Sequence, residues 1–162
     1  MRIVALLLAT APMWAQQFPA IEGRNLREHT VKLPDGQAEV LIVGFTHGSQ
    51  TQTKAWGERI GDRFPSYSIA VLEDVPRLVR GMASHGIKSG VPENRRERFL
   101  LVFHGEKELK QAVAFSTPDD AYILLLDPSG AIRWKFHGPV TDAAFDQFKA
   151  AFTAGYSTSH LP

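Results

Sequence analysis

Residues Val40, Leu41, Ile42 and Val43 form an unbroken apolar run, and Gly44 and Phe45 carry it into a polar stretch from Thr46 to Thr53. A strand without polar alternation must be covered on both faces, so this run calls for a sheet sandwiched between other layers. A helix is expected to follow the turn. Ser49 and Gln52 have capping-box spacing, and Trp56, Ile60 and Phe64 recur every fourth residue as an apolar stripe before Pro65 ends it. A strand-to-helix turn presents unpaired backbone N–H groups and the positive end of the helix dipole, which makes residues 46–53 the first place to look for function.

The other segments fit the same layered plan. Residues 18–27 read as irregular. His29 to Val40 reads as a short strand, a Pro34-Asp35-Gly36 turn and the start of the central strand. Tyr67 to Leu72 is the next strand. A helix is then expected with Val75, Leu78, Val79, Met82 and Ala83 on its buried face and Gly86 as its terminator. Lys88 to Arg98 reads as a solvated basic loop, Phe99 to Gly105 as extended, and residues 106–115 as a short helix. Tyr122 to Leu126, an Asp127-Pro128-Ser129-Gly130 turn and an alternating return strand make the clearest hairpin. On that return strand Ile132, Trp134 and Phe136 face one way, and Arg133, Lys135 and His137 the other. A last helix from about Thr141 is expected to bury Ala144, Phe145, Phe148, Ala151 and Phe152. The fold class that results is α/β, a central mixed β-sheet flanked by helices on both faces.

Composition narrows the chemistry. The chain has 162 residues and no cysteine, which excludes disulfides, thiolate metal sites and every cysteine-based redox or nucleophilic mechanism from it. Residues 1–15 have the layout of a secretory signal peptide: Arg2, an apolar run from Ile3 to Ala11, and a small residue, Ala15, at the expected cut. An uncleaved membrane tether and a buried first strand are the alternatives. Removing that segment takes away Arg2 and no acid, so 17 basic and 17 acidic residues remain, a balance unlike a nucleic-acid-binding surface. The expected organisation is a signal peptide over 1–15, one domain over 16–155 and a flexible tail over 156–162, with the mature chain periplasmic or secreted.

The order of elements resembles thioredoxin, and the likeness to secreted thioredoxin-like and peroxiredoxin-like families extends from about Phe18 to Phe152. It is carried by LIVGFTHGSQTQTK, FLLVFHGEKELKQAVAF and DAYILLLDPSGAIRWKFHG. With Phe45 on the family's strand phenylalanine, Gln50 and Thr53 stand where redox members have their two cysteines, and Ala121 stands where they have a cis-proline. Serine, threonine and glutamine cannot cycle through sulfenic acid, so thiol redox chemistry is lost along with the cysteines. A narrower resemblance is to the mitochondrial assembly factors for the membrane sector of F-type ATP synthase. Their C-terminal signature is matched by Tyr122, Leu125, Asp127, Gly130, Ile132, Arg133 and Trp134, and the region of Gln52 and Trp56 is also similar. That resemblance implies a chaperone or assembly role without catalysis.

The expected function is therefore a binding or assembly module, not an enzyme, for a membrane or envelope protein complex related to ATP synthase. The expected binding residues are Thr46, His47, Gln50, Thr51 and Gln52, with Arg133 as a distant second patch. No cofactor, metal or nucleic acid is expected, and a position at the membrane periphery is. The alternative from a different class is a cysteine-independent metal carrier or enzyme centred on His47. Against it, none of the six histidines has ligand spacing such as His-x-x-x-His, and no nucleophile elbow surrounds Ser49. A decayed paralogue with an idle pocket is the third reading.

Overall fold

The computed structural model describes residues 15–37 and 39–157. The expected signal peptide lies outside them except for Ala15, and so does the expected tail from 158 onward. Eleven regular elements follow in order: β1 (Ile21–Asn25), β2 (Thr30–Leu33), β3 (Glu39–Gly44), α1 (Gln50–Ile60), β4 (Ser66–Val71), α2 (Arg80–Gly90), β5 (Phe99–Val102), α3 (Glu106–Val113), β6 (Tyr122–Leu126), β7 (Ile132–His137) and α4 (Asp142–Ser157). The strands form one seven-stranded mixed sheet in the order β2-β1-β5-β4-β3-β6-β7. Its centre is parallel, β5-β4-β3, and its flanks are antiparallel.

The unbroken apolar run sits in the middle of that sheet, covered on both faces. Leu41 and Val43 point into a core with Leu100, Val102, Leu124 and the α3 residues Leu109, Ala112 and Val113. Val40 and Ile42 point into a second core with Ile123, Trp56 and Ile60 of α1, and Ala144, Phe145 and Phe148 of α4. Opposite faces of one strand thus feed two separate cores, as a period of two requires. Helices cover both faces, as expected.

Three local expectations are overturned. Residues 21–25 form an alternating strand, with Ile21, Gly23 and Asn25 buried and Glu22 and Arg24 exposed. A Cβ at Gly23 would lie 3.1 Å from the Leu101 carbonyl oxygen, so glycine there permits close approach to β5 at the expense of an apolar signal. The stripe from Val75 to Ala83 is not buried: α2 buries none of its residues, and it runs past Gly86 to Gly90. A tight 3₁₀ turn over Arg77–Val79 breaks the helical period on which the expected stripe depended. Residues 88–98 are more ordered than a solvated loop: Glu93–Arg98 form a 3₁₀ helix, and Arg95 and Arg96 are partly buried while Arg98 is exposed. Arg95 donates to the Gly57 carbonyl at 2.8 Å, Arg96 to the Val91 carbonyl at 3.1 Å, and Arg98 lies 5.1 Å from the Tyr67 ring centroid.

Trp134 and Phe136 pack partly buried against the α1–α4 core, with Arg133, Lys135 and His137 exposed on the other side of β7. The Thr141 hydroxyl accepts from the Ala144 amide at 3.1 Å and caps α4, which runs to Ser157, two residues beyond the expected end of the domain.

Candidate functional site

β3 ends at Gly44 beside the start of α1, and this junction is built by Thr46 rather than Ser49. The Ser49 side chain makes no capping bond; its backbone already has helical dihedrals, φ −72 and ψ −11. Its buried hydroxyl instead donates to the Thr46 carbonyl at 2.8 Å, and its amide donates to the Thr46 hydroxyl at 3.2 Å. The capping-box expectation fails because Gln52 is drawn elsewhere by tertiary partners. With its proton committed and His47 exposed, Ser49 has no arrangement that would make it a nucleophile.

Two loops meet at this junction, the polar turn and residues 116–121 ahead of β6. The Thr46 hydroxyl lies 2.6 Å from Asp119 Oδ1 and 3.2 Å from the Pro118 carbonyl. Gln52 uses both ends of its amide: Nε2 donates to Asp120 Oδ1 at 3.3 Å, and Oε1 accepts from the Ala121 amide at 3.0 Å. Asp120 Oδ2 is also 2.8 Å from His137 Nδ1, and the His137 ring stacks on Tyr122 at 5.4 Å. The buried Tyr122 hydroxyl accepts from the Ser116 and Thr117 amides, each at 2.9 Å, and donates to the Thr117 carbonyl at 3.0 Å. One phenol therefore shapes the loop that carries both aspartates.

Below this corner the Trp56 indole donates to the Gly138 carbonyl at 2.9 Å, and the Gly138 amide donates to the Ala121 carbonyl at 2.9 Å. Both backbone polar groups of Ala121 are thus taken by the protein itself. The peptide preceding Ala121 is trans; among the described residues the cis bond is Leu33–Pro34.

Of the expected binding residues, Thr46, His47, Gln50, Thr51 and Gln52 lie on this one corner. Thr46 and Gln52 are tied inward, whereas His47, Gln50 and Thr51 are exposed. Thr53, in the second cysteine place, donates its hydroxyl to the Gln50 carbonyl at 3.1 Å. Arg133 is not part of the corner. It sits at the other end of the β6–β7 hairpin, about 13 Å from His137 by strand rise, paired with Asp127. Burial works against ionisation of Asp127, but hydrogen bonds from Ser129 and Ala131 and the Arg133 guanidinium hold its carboxyl below the ordinary carboxylate range. Lys135 contacts Gln16 at 3.2 Å, so the basic stripe of β7 is engaged internally along its length.

Asp119, Asp120, Tyr122 and the inward role of His137 were not read from the sequence as site residues. The available signal was the Asp-Asp pair directly ahead of Ala121. Among the described residues no three of histidine, cysteine, aspartate and glutamate come together to hold a metal, so His47 has no companion ligands. The corner offers polar donors and acceptors on a rigid frame, and it contains no activated nucleophile.

Gly48 lies against Asp119 where the two loops meet, and it gives a clean test of their coupling. A Cβ at this position would lie 2.2 Å from Asp119 Oδ1. Gly48→Ala is expected to swing that carboxylate off Thr46 and lower stability by about 1 kcal/mol in urea unfolding, while Asp119 and Asp120 amide resonances shift by NMR. Unchanged Asp119 resonances would contradict the coupling.

The fold is shared with solved thioredoxin-like proteins. The chain is similar to an exposed lipoprotein thioredoxin of Streptococcus pneumoniae, with 12% identity and a TM-score of 0.54, covering 80% of this chain and 97% of that one. It is similar to the thioredoxin domain of a thiol-disulfide oxidoreductase from Bacteroides vulgatus, with 17% identity, a TM-score of 0.56, and 84% and 95% coverage. A peroxiredoxin-like protein from Aquifex aeolicus matches with 13% identity, a TM-score of 0.54, and 85% and 86% coverage. No curated protein matches the chain. The model of the ATP10 protein family matches residues 13–154. The seven-stranded frame, the missing cysteines and this match agree: the chain belongs to the ATP10 protein family, built on a thioredoxin-like fold.

Proposed function

We propose that this protein is a non-redox assembly factor for the membrane complex of ATP synthase, presenting the α1 corner to a partner subunit. The observation that carries the proposal is the family match over residues 13–154 on a chain whose corner holds Gln50 and Thr53 in the cysteine places. His47, Gln50 and Thr51 supply the exposed contacts, and Thr46, Gln52, Asp119 and Asp120 hold them in position. Arg133, paired with Asp127, forms a separate second contact at the far end of the hairpin. A polar, preorganised and catalytically empty corner suits transient recognition of a subunit before it joins the complex. The metal-carrier alternative has no observation in its favour.

The proposed work is at the membrane periphery, a reading that the family match supports. Among the described residues no helix is long and apolar enough to cross a membrane. The layout of residues 1–15 supports export to the periplasm or beyond, with tethering by the uncleaved segment as the alternative. N-terminal sequencing of the protein from cells tests the cleavage: a start at Gln16 means that the segment is removed, and a start at Met1 means that it is retained.

The test is a replacement strain in which Gln50→Glu and Thr51→Glu are introduced together. Assembled ATP synthase, measured on native gels, is expected to fall several-fold while the level and circular dichroism of the variant stay unchanged. Normal assembly in that strain would remove the corner from the mechanism. Normal assembly after complete deletion of the protein would remove the assembly role itself.

A further inference from the structure

We propose that the turn and helix from Arg77 to Gly90 dock onto an anionic lipid bilayer, whichever protein the α1 corner contacts. Leu78 is 97% exposed, Met82 76% and Val79 43%, and they stand together in this one segment. Single exposed apolar residues are ordinary, but three within five positions, on a turn and helix that bury none of their residues, form an exposed apolar tip.

The charge around the tip identifies its occupant. From Val75 to Val91 the chain carries Arg77, Arg80 and Lys88 and no aspartate or glutamate, whereas the rest of the expected domain has more acids than bases. Arg80 is fixed in place. Its guanidinium donates to the Val75 carbonyl at 2.9 Å and the Glu73 carbonyl at 3.0 Å, and lies 5.0 Å from the Phe103 ring centroid. There it lines a shallow depression of about 330 Å³ together with Arg24, His104 and Thr30. The carboxylate in that depression, Glu22, is 3.7 Å from Lys32, which offsets its charge. The neighbouring acids Glu73 and Asp74 line a separate cavity beside α3.

An exposed apolar tip flanked by Arg77, Arg80 and Lys88, of which Arg80 is held in place, matches the interfacial zone of an anionic membrane. Apolar side chains there reach the acyl boundary while guanidinium groups meet lipid phosphates. A protein partner would have to supply both a deep apolar pocket and an acidic rim.

Because the chain has no cysteine, single-cysteine labelling reads this surface directly. An environment-sensitive dye is placed on full-length Met82→Cys and, as a control at the hairpin turn, on Ser129→Cys. Vesicles of phosphatidylcholine with phosphatidylglycerol are expected to shift the Met82→Cys emission to the blue and leave Ser129→Cys unchanged. Pure phosphatidylcholine vesicles are expected to have little effect, and adding Arg77→Glu is expected to weaken binding by about tenfold, as loss and reversal of a surface cation should. Vesicle binding without a shift at position 82 would assign the binding to the N-terminal segment and overturn the proposal. Equal shifts on neutral vesicles would also overturn it, as would a concentration-dependent shift without vesicles, which would assign the tip to a second copy. Absence of any vesicle binding would do the same.

Discussion

Trp56→Ala is expected to destabilise the protein by about 4 kcal/mol, the largest loss foreseen for a single truncation. Trp56 is fully buried where α1, α4 and the sheet converge. Its ring lies 5.6 Å from Phe136, 6.5 Å from Phe145 and 6.4 Å from Phe148 between centroids. Alanine leaves a cavity among three rigid rings and strips the Gly138 carbonyl of its donor. Trp56→Phe keeps much of the apolar volume but not the indole N–H, and is expected to cost about 1–3 kcal/mol. Urea unfolding of the two variants separates packing from the hydrogen bond. A loss below about 1 kcal/mol for Trp56→Ala would mean that this core is not close-packed. Because the bond to Gly138 continues to Ala121, the alanine variant should also loosen the corner.

Glu39→Gln is expected to do the opposite and stabilise the protein at alkaline pH. Glu39 opens the central strand, is 1% exposed, and its Oε1 has no hydrogen-bond partner among the described residues. Burial pushes its carboxyl up to about 7 from an ordinary 4.5, with the charge of Asp35 adding to the rise and Arg98 opposing it. Between those two values the folded protein retains a proton that the unfolded chain has released. Stability therefore falls as pH rises through that window and levels off above it, a total of at most about 3 kcal/mol. Glutamine cannot ionise, so the variant should be more stable than the parent by roughly 1–3 kcal/mol at pH 8 and should lose the slope. Urea midpoints at pH 5 and pH 8 measure both. A variant that is less stable at pH 8, or that keeps the parent's slope, would contradict the buried-carboxylate account.

These two residues also show where sequence reading succeeds and where it stops. Trp56 was legible as core because its stripe with Ile60 and Phe64 is local and periodic. The β6–β7 hairpin and α4 were legible for the same reason, one from its turn and alternation and the other from its apolar face. Glu39 gave no such signal, since nothing local marks a carboxylate as buried. β1 was hidden by Gly23 and Asn25, whose value lies in partners far along the chain: Asn25 accepts from the amides of Arg27 and His29 and donates to the Glu97 carbonyl. The corner was half legible. Residues 46–52 announce themselves as a polar turn after a buried strand. Asp119 and Asp120 enter only when the fold brings them across about seventy residues to Thr46 and Gln52. α2 was misread because an apolar repeat records spacing, not whether another layer arrives to cover it.

The central claim is that the corner at the start of α1 contacts membrane-sector subunits of ATP synthase while they are being assembled. The most direct measurement is thiol-directed crosslinking in cells from full-length Thr51→Cys, with Ser129→Cys at the remote hairpin turn as control, followed by mass spectrometry of the adducts. Membrane-sector subunits recovered from Thr51→Cys and absent from Ser129→Cys are the result this account predicts. Recovery of only soluble proteins, or equal recovery from both positions, would contradict it.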